Sequence, residues 1–148
     1  MGMNTTFRRS VLVLLALVAA FVGGWATLSP DGFYQSFPGF GLHWVAQDGP
    51  FNEHLIRDVG GLYLGLGAAS VAAVFTQTAT ASRVVGLNWS LFNLLHLGYH
   101  VLHLEGSVLD KVGNVVGLGA SLLLGLVLLL PSTRGAVTPA RTPAQAAR

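Results

Sequence analysis

Four long apolar runs divide the chain, Val11 to Leu28, Val59 to Phe75, Val84 to Leu104 and Val112 to Leu130, with shorter polar stretches between them. Each approaches the roughly 20 helical residues needed to cross a hydrocarbon core of about 30 Å. The pattern predicts an all-α fold: a four-helix transmembrane bundle forming one domain over residues 1–131, with helices at 8–28, 53–75, 84–104 and 110–130. Past Pro131, residues 132–148 have the Ala, Thr, Pro and Arg composition of a disordered cytoplasmic tail.

Polar positions inside the runs fall at helical spacing. On the third helix Trp89, Asn93, His96, His100 and His103 form one stripe, the three histidines at i, i+4 and i+7. Counting back from Leu104 at about 1.5 Å per residue puts His100 about 6 Å and His96 about 12 Å below the outer membrane boundary. Groups at that depth face the bundle interior or a watery cavity. On the second helix His54, Asp58, Gly61, Gly65, Ala68 and Ala72 share a stripe. Small residues mark close helix contact in membranes, so His54 and Asp58 are expected to point inward, with Arg57 pairing to Glu53 one turn away. The fourth helix places Asp110, Asn114, Gly117 and Ser121 together and carries the ladder Gly113, Gly117, Ser121, Gly125.

Composition agrees with a membrane class: 52% of residues are hydrophobic and 9% charged, against about 25% charged in soluble domains. The absence of cysteine excludes disulfides and thiolate metal sites. With a cytoplasmic amino terminus, Arg8, Arg9, Arg83, Arg134, Arg141 and Arg148 lie inside and only Arg57 and Lys111 outside, as the positive-inside rule requires. All six carboxylates then lie outside. The expected location is a bacterial plasma membrane, with several spans and both termini cytoplasmic. The first run exceeds the roughly 7–15 residues of a signal-peptide core and lacks Ala-x-Ala, so it is read as a retained helix. Scattered, topology-explained arginines give no nucleic-acid partner. The partners expected are membrane lipid, other membrane subunits, or a second copy packed through the small-residue ladders.

The connection from Ser29 to Asn52 is dense in aromatics, among them Phe33, Tyr34, Phe37, Phe40, Trp44 and Phe51. It fits an interfacial belt. It also fits a lid over the outer end of the bundle, through which His43 and Asp48 would reach the interior.

The chemistry these residues suggest is metal or haem binding. Imidazoles and carboxylates suit Fe, Zn or Cu, and the candidate ligands are His54, Asp58, His96, His100 and His103. For haem, His54 and His100 form the candidate axial pair. Glu53, Arg57, Asn93, Asp110 and Asn114 are the supporting polar groups. The expected function is a redox or oxygenase-like membrane protein. The alternatives are a non-enzymatic accessory or assembly subunit, whose polar collar only fixes helix packing, and a small-substrate or proton-coupled transporter.

The segment Asn52-Glu53-His54-Leu55-Ile56-Arg57-Asp58-Val59-Gly60-Gly61-Leu62-Tyr63-Leu64-Gly65-Leu66 resembles a recurring segment of small, uncharacterised four-helix membrane proteins of actinobacteria. The architecture is also similar to that of DoxX-like membrane proteins, some of which are associated with oxidoreductase complexes. The resemblance implies four membrane helices and supplies no catalytic residue.

Overall fold

The computed structural model describes residues 5–131, so the predicted tail, residues 132–148, lies outside the described residues. Among the described residues the chain forms six helices and no strand. They are α1 (Thr5–Leu28), α2 (Pro30–Ser36), α3 (Trp44–Gln47), α4 (Glu53–Thr76), α5 (Ala79–Leu102) and α6 (Val108–Leu129). The all-helical expectation holds, and α1, α4 and α6 are each long and apolar enough to cross a membrane.

Local chemistry sets the helix ends. Proline at the first position opens α2, where its missing N–H costs nothing. Asn52 Oδ1 accepts the Leu55 N–H to start α4, and Gln77 in the left-handed region ends it. Thr78 Oγ1 accepts the Ala81 N–H, so α5 begins at Ala79, ahead of the apolar run that opens at Val84. Ser107 and Asp110 form a reciprocal capping box at α6.

The four long helices pack as two tight antiparallel pairs, α1 with α4 and α5 with α6. Glycines permit both approaches. A Cβ at Gly23 would stand 2.8 Å from Gly60 O, and one at Gly67 would stand 2.8 Å from Ala19 Cβ. In the other pair a Cβ at Gly86 would stand 2.7 Å from Gly125 O. Between the pairs the seam is aromatic: Tyr63 on α4 meets Trp89 and Phe92 on α5 edge-on, at ring-centroid distances of 6.0 and 5.2 Å. Trp89 Nε1 donates to Ser70 Oγ at 3.0 Å across the same seam.

Around an apolar core that includes Leu12, Leu15, Tyr63, Trp89 and Leu128, the distribution of polar and apolar side chains differs from that of a water-soluble domain. Ser70, Ser82, Ser90, Asn93 and His100 are buried, while Leu17, Leu62, Leu94, Leu95, Val116 and Leu123 are exposed. Apolar surface turned outward with polar groups turned inward is the distribution a bilayer demands. It also explains why α5, as long as α1 and α4, is the least apolar of the long helices: its polar face lies against the other helices.

One expected face is corrected. The α4 stripe of His54, Asp58, Gly61, Gly65, Ala68 and Ala72 is exposed along its length, and a Cβ at Gly61 or Gly65 would meet nothing within 4 Å. The packed stripe is the adjacent one, with Ile56, Gly60, Tyr63, Gly67, Ser70 and Val74 buried. Both stripes carry small residues. Only the second also carries Tyr63 and Ser70, which have partners on α5.

At the end opposite the lid segment, Arg8 is buried and donates to Ala79 O and Leu130 O. It ties α1 to the start of α5 and the end of α6, where carbonyls left free by the helix attract a cation.

Candidate functional site

The two helix pairs do not close fully on each other. Between them lies a cavity of about 600 Å³, within the range of small-molecule sites. Its walls are Leu14, Val18 and Val22 of α1, Ile56, Val59 and Tyr63 of α4, His96 and His100 of α5, and Asn114, Leu118 and Ser121 of α6. Contact between α1 and α6 is sparse. Leu14, Phe21, Gly117 and Ala120, which line the cavity along that seam, are also exposed.

The segment of residues 29–52 roofs this space. Phe33, Tyr34, Phe37, Trp44 and Val45 line the cavity from above, and ring contacts run from Phe21 and Trp25 on α1 through Phe33 and Phe37 to Trp44. Trp44 reaches the opposite pair, where Nε1 donates to Asp110 Oδ1 at 3.2 Å and the indole covers Gly113. Of the two readings open for this connection, the lid describes its position over the cavity. Phe40 stands fully exposed at its tip, as an interfacial aromatic would.

Two of the three expected stripe histidines, His96 and His100 of α5, meet at the cavity. His96 and His100 stack with ring centroids 4.9 Å apart and planes 26° from parallel, and Phe92 abuts His96 edge-on. His100 is buried, its Nε2 3.9 Å from Asp48 Oδ2 in the lid. Burial pushes the Asp48 carboxyl above its ordinary range; Glu105 adds to that shift, and His100 and His103 oppose it. Asn93, one turn deeper than His96, is fully buried, donates to Trp89 O at 2.8 Å, and leaves Oδ1 without a partner.

Of the remaining candidates, all but Asn114 lie away from the cavity wall. His54 is exposed, with Nε2 3.3 Å from Asp58 Oδ2 on the outward stripe of α4. Glu53 and Arg57 pair at 2.8 Å, and Arg57 also donates to Thr27 O. His103 follows the last turn of α5, exposed, stacked on Tyr99 and hydrogen-bonded to Tyr99 O. Asp110 is buried in the capping box beneath Trp44, and Asn114 lines the cavity. His43 bonds Gln35 O and stays exposed.

The expected histidine cluster therefore does not assemble. Among the described residues no group of three or more His, Cys, Asp or Glu is placed to hold a metal ion. Ring nitrogens hold their lone pairs in the ring plane, so stacked His96 and His100 aim them side by side. His54 and His100 likewise do not face each other across a haem, because His54 lies on the outward face of α4. The residues fit neither group. Tyr34 and Trp44 were expected only as members of an interfacial belt or lid, and Tyr63 carried no expected role, because an aromatic on an apolar helix reads equally well as packing or pocket wall. Comparison with family models, curated proteins and solved structures found no match to this chain.

Proposed function

We propose that this chain is a four-helix integral protein of the bacterial plasma membrane, with both termini cytoplasmic, that binds a hydrophobic small molecule drawn from the bilayer. The observation that carries the reading is the 600 Å³ cavity, apolar along its length and polar at the lidded end through His96, His100, Asp48 and Asn114. Binding sites of this kind use apolar walls for affinity and a few polar groups for orientation. The seam between α1 and α6 provides lateral access from lipid. The buried polar face of α5 supports its assignment as the fourth span. Arg8, Arg9 and Arg83 at one end and the carboxylates at the other support the orientation.

The test is retention of ligand by full-length protein in mild detergent, read by native mass spectrometry and by analysis of extracted small molecules. Gly117 lines the cavity, and a Cβ there meets nothing within 4 Å, so Gly117→Phe can introduce a bulky ring at the cavity wall without a clash at the backbone. Wild-type protein should carry a hydrophobic molecule at near-stoichiometric occupancy and the helical, folded variant should not. Equal occupancy in the two proteins, or none in the wild type when it is purified from native membranes, would overturn the reading.

A further inference from the structure

We infer that the cavity selects a lipophilic monocation, such as a hydrophobic amine or quaternary onium compound, over uncharged and anionic molecules of the same shape. This rests on the proposal that the cavity binds a hydrophobic small molecule, and adds the charge it prefers.

Among the described residues, Asp48 is the only carboxylate lining the cavity, and no lysine or arginine lines it. The titratable and charged groups facing Asp48 are His100 and His103 from the end of α5 and Glu105 from the following loop. His100 Nε2 lies 3.9 Å away, beyond hydrogen-bond distance, and the Asp48 side chain is 34% exposed, about two-thirds withdrawn from solvent. Glu105 has the same sign as Asp48 and makes the lidded end more negative still. An anionic head would meet a partly desolvated carboxylate on a wall without lysine or arginine, where the groups beside Asp48 that can carry positive charge are the imidazoles of His100 and His103.

Phe21, Phe33, Tyr34, Phe37, Trp44 and Tyr63 all line the same cavity, most of them at its lidded end. Aromatic faces carry the negative side of a quadrupole and attract a cation within about 6 Å of the ring centroid, most strongly where water is excluded. A carboxylate set among aromatic rings above an apolar shaft favours positive charge on a hydrophobic body. The head group would lie under the lid between Asp48 and the rings. The body would extend past His96 toward Leu14 and Leu124, a length of about 15 Å measured as the ten-residue rise from Asn114 to Leu124 on α6.

Three probes of one shape separate charge from hydrophobicity: tetraphenylphosphonium, tetraphenylsilane and tetraphenylborate. Binding to the detergent-solubilised full chain is measured by equilibrium dialysis against protein-free micelles, which subtracts partition into detergent. The cation should bind about tenfold or more tightly than the neutral probe, and the anion most weakly. Asp48→Asn, a change in the lid segment outside the long helices, should bring the cation to within about threefold of the neutral probe and leave the neutral probe unchanged. Phe37→Leu keeps an apolar side chain and removes a ring, so it should weaken the cation severalfold more than the neutral probe.

Equal binding of cation and neutral probe, tighter binding of the anion, or a cation preference that survives Asp48→Asn would overturn the charge selection while leaving a hydrophobic site in place. Failure of all three probes to bind wild-type protein, with Gly117→Phe no different from it, would remove the cavity reading and this inference together.

Discussion

The register of α4 decides which polar groups face the interior, and two neighbouring glycines test it. A Cβ at Gly60 would stand 2.9 Å from Thr27 N and 3.1 Å from Gly23 O, both backbone atoms that cannot rotate away. Ordinary contact begins near 3.4 Å, so α1 and α4 must part by about 0.5 Å to admit the methyl group. Overpacking of this kind costs about 1–3 kcal/mol. Against it stands the helix preference of Ala over Gly, about 0.8–1 kcal/mol, which both substitutions gain. Gly61→Ala meets nothing within 4 Å and should be neutral or stabilising by up to about 1 kcal/mol. Gly60→Ala should then be less stable than Gly61→Ala by about 1–3 kcal/mol, the propensity term cancelling between them. The assay is loss of helicity on titrating dodecyl maltoside micelles with dodecyl sulfate, for wild type and both variants. A Gly61→Ala protein destabilised as much as Gly60→Ala would refute the packing described here. It would turn the stripe holding His54 and Asp58 inward again.

Three further outcomes follow from the lid and the caps. Trp44→Phe removes both the hydrogen bond to Asp110 and the indole edge that covers Gly113; lid closure should weaken by about 1–2 kcal/mol or more, seen as faster amide exchange in residues 30–50 with little change in α4 or α6. Asp48 carries a raised carboxyl, so the closed lid binds its proton more tightly than the open one. Closure is then strongest below the ordinary carboxylate range and weakens as pH rises toward the raised value; Asp48→Asn should flatten that dependence in lid-closure measurements by cross-linking across the Trp44 and Gly113 contact. Ser107→Ala breaks the capping box and should destabilise the fold by about 0.5–2 kcal/mol in the same detergent titration, with fraying confined to the first turn of α6.

Legibility in the sequence followed how many physical constraints acted on a residue at once. The helical runs were readable because length, apolarity and the polar stretches between them all agreed. The α5 stripe was readable through Trp89, Asn93, His96 and His100, because polar groups in an apolar run have only the interior to face. His103 left that stripe because the helix ends at Leu102 and the periodicity ends with it. On α4 two small-residue stripes lay about 100° apart, and their glycine content could not separate them. What separates them is the pair Tyr63 and Ser70, whose partners Trp89 and Phe92 sit on another helix. The lid reading brought Asp48 and His43 toward the interior, and Asp48 arrives while His43 stays exposed; that His100 is the partner was hidden, since the contact joins residues more than fifty positions apart through a lid whose path depends on the Trp44 anchor.

The cavity itself follows from where the small residues are placed. Gly23, Gly60 and Gly67 let α1 and α4 approach until backbone meets backbone, and Gly86 and Gly125 do the same for α5 and α6. No such glycine pair serves the seam between α4 and α5, where Tyr63, Trp89 and Phe92 hold the pairs apart by the width of aromatic rings. Two closely packed pairs propped open along one edge leave a space between them. Attraction between helices in a membrane comes from packing and hydrogen bonds, without the general hydrophobic drive available in water, so nothing forces that space to collapse. Narrowing the prop should narrow the space: Phe92→Ala should draw α5 toward α4, reduce the cavity and lower occupancy by a bulky tetraphenyl probe more than by a slender alkyl ammonium. A gain in affinity for the bulky probe would show that the rings fill the site instead of holding it open.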